Sequence, residues 1–461
     1  MQELEEIPEP CMDKNVRTSK DIVKKIDMPD FPKVEAAVGM SRKWDAREAG
    51  REVAETAIRD LHEPPSFFLL FSTIHYEKYG GFQELLNGVW DVLPKGTPLV
   101  GGTVRGFMNN YGCYTRGTTA LAVSSADMDV AVGYGKNTKR NPKKAAQQCA
   151  QMIKKGLQSN SFEHKFLLNI ISASSIPDIP PLGRKKIIAS GLAPKAMMQL
   201  FGFSQYVLQK GAGRDDEVME EMIKHFPEYH MLGGGTIDDG ANLRNFEFCN
   251  HEVLTNSIVS LGLQTGYNLD VLTTHNMKKT NIDFKITKTS KDGRIIQEIN
   301  GKPATSEFLR LLNWPSDFLD DRTWFNTNFY FPLGFPVSTK NGLFGPRVIG
   351  IILGESLITT IRSKNPDGSI LTIDGHGLLD TIDNNLGSYP TQADFGLIAS
   401  CTTRLETLGA KVYQSRDRVL KYFGTRPFIV FFVGGESTYS PEKGLTFVNM
   451  SFNSALFWKD K

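Results

Sequence analysis

Apolar positions in this 461-residue chain gather into strand-length runs, separated by stretches with helical spacing. FFLLFST (67–73) is apolar throughout until two hydroxyls, as in a strand buried on both faces. FQELLNGVWDVL (82–93) places Leu85, Val89 and Val92 or Leu93 on one helical face, with Pro94 just beyond. PLVGGT (98–103) supplies the next strand and TTALAVSS (118–125) closes the unit. The same order recurs over 395–457, in FGLIASCTT, SRDRVLKYF, FIVFFVGGE and FNSALF, and more loosely over 166–263. Upstream, VEAAVG and a helix capped by Asp45, with Ala46, Ala49, Val53, Ala57 and Leu61 on one face, form a β-α opening.

Three apolar runs meet a glycine pair followed by Thr or Glu: Gly101, Gly102 and Thr103; Gly234, Gly235 and Thr236; Gly434, Gly435 and Glu436. A repeat with three equivalent glycine turns is expected. Aligning units one and three sets Ser72 and Thr73 against Ser400 and Cys401. The fold class predicted is α/β, with repeated β-α-β-β units forming mixed sheets flanked by helices. Residues 1–33 read as an irregular arm. The middle unit carries an insertion over about 176–215, in which LAPKAMMQLFGFSQYVL has helical spacing. Between the second and third units, 282–390 is a strand-rich block opened by a hairpin turning at Asp292-Gly293.

Composition narrows the function. The net charge of +2 and 23% charged residues favour neither nucleic acid nor an acidic membrane surface. The longest apolar runs are far short of the ~20 residues that span a bilayer. MQELEEIPEP resembles no secretory signal, and five cysteines (11, 113, 149, 249 and 401) without CxxC spacing predict neither a disulfide framework nor zinc. The expected location is cytoplasmic. KNTKRNPKKAA (136–146) reads as a solvated loop and helix start rather than a nucleic-acid site.

The ordered set of VGMSRKWDAREAGREVAETAI, SCTTRLETLGA, FFVGGEST and GLTFVNMSFNSALF resembles the FIST sensory domains. The resemblance divides the chain into a FIST N-like domain, 34–275, and a FIST C-like domain, 276–461. The family's Cys-x-x-Arg and Gly-Glu signatures fall on Cys401, Arg404, Gly435 and Glu436; in the first unit Gly101, Gly102, Thr103 and Gly106 match, but Phe107 stands where an acid is usual. It implies small-molecule sensing in signalling, the ligand an amino acid or related metabolite, and output through a separate protein partner. A haem-based nitric oxide sensor and a protein-interaction scaffold are the alternatives.

For Cys401 two readings stand: a thiol whose pKa a nearby Arg404 lowers, or a small residue filling a strand end. Arg404 suits a ligand carboxylate and Glu436 an ammonium; Glu436 could equally be a surface carboxylate paired with Lys443. The expected cleft is lined by Cys401, Thr402, Arg404, Gly435 and Glu436, with Gly102, Thr103 and Arg105 from the first unit. His275 is the candidate haem ligand, in a stretch that Asn276 and Lys278 interrupt. No other cofactor and no metal is predicted. With no HExxH, GxSxG or P-loop, no enzyme is expected.

Overall fold

Three of the sheets share one strand plan, and their hairpins are exchanged in a ring. The computed structural model describes residues 35–158, 161–175, 187–188, 203–319, 329–337 and 344–459. The 1–33 arm and most of the insertion in the middle unit, including all but 203–208 of its expected helix, lie outside the described residues.

The first sheet runs in the order Glu35–Ser41, Thr118–Ser124, Phe67–Ser72, Leu99–Thr103, then the hairpin Glu247–Cys249 and Glu252–Leu254. The second sheet is ordered Met128–Lys136, Ser257–Thr265, His164–Ser172, His230–Thr236, with the hairpin Glu436–Ser440 and Gly444–Val448 at its edge. The third is Asn268–Thr274, Phe452–Trp458, Phe395–Cys401, Phe428–Val433, and the hairpin Gly106–Asn109 and Gly112–Tyr114. In each unit, the hairpin after the second central strand therefore leaves its own sheet and pairs with another unit's. Strands from either side of residue 275 share the second and third sheets.

Each sheet buries one face on a helix pair: Ala46–Ile58 with Phe82–Trp90, Pro142–Gly156 with Asp215–His225, and Gly375–Leu386 with Val412–Phe423. Asp45 caps the first helix, its carboxylate accepting from Glu48 N at 2.9 Å. The opposite faces meet in one central core that draws Leu69, Phe71, Leu168, Leu232, Ala399 and Phe431 from all three sheets. Phe71 stacks on Phe431 with ring centroids 4.4 Å apart, and Phe166 meets Phe457 edge-on at 5.2 Å. A fourth sheet takes the strand-rich block; its long Met277–Thr289 strand turns through Gly293 (φ +73°) into Ile295–Ile299.

One sequence expectation needs correction. Only the Gly434–Gly435 pair is a turn; Gly101 and Gly102 lie inside Leu99–Thr103, and Gly234 and Gly235 inside His230–Thr236. At Gly235 the reason is close approach, since a Cβ there would stand 1.9 Å from Gly434 O. Across the parallel pairs, Ser72 stands opposite Thr103, Ser172 opposite Thr236 and Cys401 opposite Val433. The first and third units align as the sequence sets them: Phe71 and Ala399 both face the central core, and Thr73 N donates to Gly117 O as Cys401 N does to Ser451 O, each at 3.0 Å.

Candidate functional site

The exchanged hairpins force three chain crossings, and the chemistry gathers beside them. Arg105 N donates to Phe432 O at 3.0 Å, Ile237 N to Thr103 O at 3.1 Å, and Gly434 N to Gly235 O at 3.0 Å. Each is a unit leaving its own sheet against the end of another's central strand. Past each crossing the hairpin begins, with Phe107 opposite Phe431, Glu247 opposite Gly102 and Glu436 opposite Gly234. Glu247 and Glu436 thus hold matching places in two units, and the first has Phe107 there, as the sequence comparison places it.

Both glutamates are fully buried. Glu436 accepts from Ser451 Oγ at 3.3 Å, and the Cys401 thiol lies against its carboxyl. Burial pushes the Glu436 carboxyl up to about 8, despite the bonds from Cys401 and Ser451, with nearby Asp215 adding to the rise. Glu247 accepts from Thr236 Oγ1 at 2.5 Å and Ser257 N at 3.1 Å, and burial raises it to about 8 as well. Neither is the solvated turn carboxylate of the simpler reading. Lys443 pairs instead with Asp270, at 2.8 Å.

Cys401 ends a fully buried strand and is 2% exposed. Burial drives its thiol far above the usual range, the Glu436 charge pushes the same way, and the bond from Thr403 Oγ1 at 2.9 Å only partly offsets them. The electrostatics favour a protonated thiol. Arg404, 1% exposed, donates through Nη2 to Leu378 O at 2.6 Å and lies 5.5 Å from the Phe452 ring centroid. Burial lowers its guanidinium to about 10, and Cys401 and Glu436 counter this.

The other expected residues divide. Gly435 takes φ +82°, and its carbonyl accepts from Gly235 N at 3.2 Å. Thr402 opens the short helix Thr402–Leu408 and is half-buried. Thr103 Oγ1 accepts from Phe246 N at 3.0 Å, and Gly102 sits in strand opposite Glu247. Arg105 is near the third unit but turns outward, with Nη2 at 2.8 Å from Glu406 Oε1. His275 accepts at Nδ1 from Met277 N at 3.3 Å, and burial, with the Arg404 charge adding to it, lowers the ring to about 4.

Sequence reading missed a second set around the middle unit. Lys139, expected on a solvated loop, is fully buried, with Nζ 3.0 Å from Ser172 Oγ and 2.8 Å from Asn256 Oδ1. Burial lowers it to about 8, against the pull of Glu247. Asp215 is also buried, raised to about 7 first by burial and then by Asp216; a Cβ at Gly435 would stand 2.4 Å from its Oδ2. Asp216 is held down to about 2: Arg294 at 2.5 Å and Arg362 at 2.8 Å outweigh its burial. Asp238 accepts four backbone N–H groups, from Gly240, Asn242, Leu243 and Arg244. No spacing in the sequence marks the Lys139 and Asp216 contacts, because each partner is distant along the chain. No group of three His, Cys, Asp or Glu among the described residues could hold a metal ion.

Three comparisons place the chain among known proteins. A family model described as the FIST N domain matches residues 66–302, just over half of the chain. No curated protein matches. Among solved structures, the crystal structure of cyanuric acid hydrolase from A. caulinodans is similar at a TM-score of 0.34 and 6% identity, covering 93% of this chain and 100% of that one. At that level the likeness carries no argument. No helix among the described residues is long and apolar enough to cross a membrane.

Proposed function

This chain belongs to the FIST family, and from that premise we propose a non-enzymatic sensor whose ligand is a small zwitterion, such as an amino acid. FIST domains sense small ligands in signalling proteins. One observation carries the choice of ligand and site. Glu436 Oε1, Arg404 Nη1 and both polar atoms of the Asn453 side chain are buried without a hydrogen-bond partner. Native interiors pair about 90% or more of their buried polar groups, so such a concentration calls for an occupant. Asn453 lies two residues past Ser451, which bonds Glu436, and pairs with Ala399, two before Cys401.

An acceptor, a guanidinium and a carboxamide are the groups that an ammonium and a carboxylate need. The three described clefts are lined elsewhere, so the reading includes closure of the protein over its ligand. Output through a separate partner protein belongs to the same proposal.

Haem gains no such support. The cleft beside His275, about 450 Å³, is walled by Thr274, Asn276, Lys278, Asp374, Asp380 and Asn384. These polar and charged walls do not suit a porphyrin. A catalytic reading is weaker too: the Cys401 thiol is held protonated, and Ser172 directs its hydroxyl to Asn245 Oδ1 at 2.8 Å.

The test is a thermal-shift panel of free amino acids and their decarboxylated or deaminated analogues. A zwitterion should raise Tm while its two truncated analogues do not. Equal shifts from zwitterion and truncated analogue would refute the assignment.

A further inference from the structure

A second cleft, remote in composition from the buried glutamates, lies where the first unit's hairpin crosses onto the third sheet. It has a volume of about 440 Å³ and is lined by Arg42, Arg116 and Arg416, by Tyr111, Tyr114 and Tyr413, and by a single acid, Asp417. Arg416 is engaged, donating through Nη2 to Asn110 O at 2.8 Å. Arg42 and Arg116 are different. Arg116 lies over Trp44, its guanidinium carbon 4.0 Å from the ring centroid, and gives one N–H to Arg42 O at 3.0 Å. Arg42 lies 5.6 Å from the centre of the Tyr114 ring.

Neither guanidinium meets a carboxylate among the described residues. Elsewhere on this surface arginines do: Arg47 and Arg51 share Asp91, Arg244 meets Glu77, and Arg418 meets Asp380. Two arginines oriented by aromatic stacking and left without acids form an anion receptor, because the guanidinium fork matches a phosphoryl or carboxylate group. Tyr111 and Tyr413, 57% and 61% exposed, add flat apolar walls that nothing in the described fold covers. An inorganic anion would leave those walls bare.

We propose that this cleft binds a small organic anion carrying a phosphoryl group on a planar ring, as a site separate from the one around Glu436. Arg42 and Arg116 hold the anion, and the tyrosines hold the ring. Because the cleft combines the hairpin Gly106–Tyr114 with the helix Val412–Phe423, its ligand bridges the first and third units.

The test is calorimetric titration of phenyl phosphate into the full chain at low ionic strength, with inorganic phosphate and phenol run separately. Phenyl phosphate should saturate with a Kd of roughly 1 mM or tighter, and phosphate and phenol should each bind at least about tenfold more weakly. Arg42→Gln should weaken phenyl phosphate about tenfold, and adding Arg116→Gln should abolish binding. Tyr413→Ala should weaken phenyl phosphate and spare phosphate. Arg42 is exposed and makes no side-chain hydrogen bond, so R42Q alone decides the matter should the double variant fail to fold. Failure to saturate, equal affinity for bare phosphate, or wild-type affinity in R42Q would each overturn the proposal.

Discussion

Glu436 shows how one residue couples ligand and proton. Its carboxyl titrates near 8 rather than in the usual carboxylate range because it is buried. A folded-state pKa raised above the unfolded one means the native protein holds an extra proton between the two values. Stability therefore falls as pH rises from the ordinary glutamate range toward 8 and levels off beyond it. Glu247 and Asp215, raised for the same first reason, add to this slope. Glu436→Gln should flatten the decline in urea-melt stability between pH 5 and 8 and make the protein more stable at pH 8 than wild type; an unchanged slope would locate the raised carboxyl elsewhere. A ligand ammonium favours the ionised form, so binding at pH 7 should release a proton. Calorimetry in buffers of different ionisation enthalpy reads this directly, and affinity should strengthen from pH 6 to 8. Gly435 belongs to the same scale. Its φ of +82° and the closeness of Asp215 mean Gly435→Ala should destabilise by about 1–3 kcal/mol in denaturant melts.

Among the elements, strands were the most legible part of the sequence, because apolar runs such as FFLLFS and FIVFFV carry their burial in every position. The Asp45 cap was equally plain, and Asp45→Ala should lower stability by about 1 kcal/mol. What the sequence concealed was why glycine recurs. A glycine pair reads alike whether it turns the chain or lets two backbones touch, and Gly235 does the second. Gly235→Ala should force the second and third units apart at their crossing and cost about 1–3 kcal/mol, whereas a free turn would tolerate it. Glu247 was hidden for a related reason. The segment 237–246 separates it from its glycine strand, so the acid matching Glu436 does not follow the Gly-Gly directly.

At the scale of the molecule, hairpin exchange makes the three units interdependent. A fragment ending at 275 keeps the strands of the first two units but loses Glu436–Ser440, which edges the second sheet, and Phe428–Val433, on which the first unit's hairpin rests. It should lack cooperative thermal unfolding when expressed alone, and adding 276–461 in trans should restore it. The same exchange explains why the candidate site was only half visible. Cys401, Arg404 and Glu436 lie within one unit and could be grouped by motif, but Asp215 reaches Glu436 from another unit, and Arg105 is drawn outward by Glu406. The central claim is that the unpaired buried atoms of Glu436, Arg404 and Asn453 enclose a small zwitterion. Native mass spectrometry of the purified full chain addresses it most directly. A retained molecule of amino-acid size is predicted, lost in both Glu436→Gln and Arg404→Lys while their melting remains cooperative; a chain of bare polypeptide mass that gains no adduct across the amino-acid panel, or an adduct indifferent to both substitutions, would contradict it.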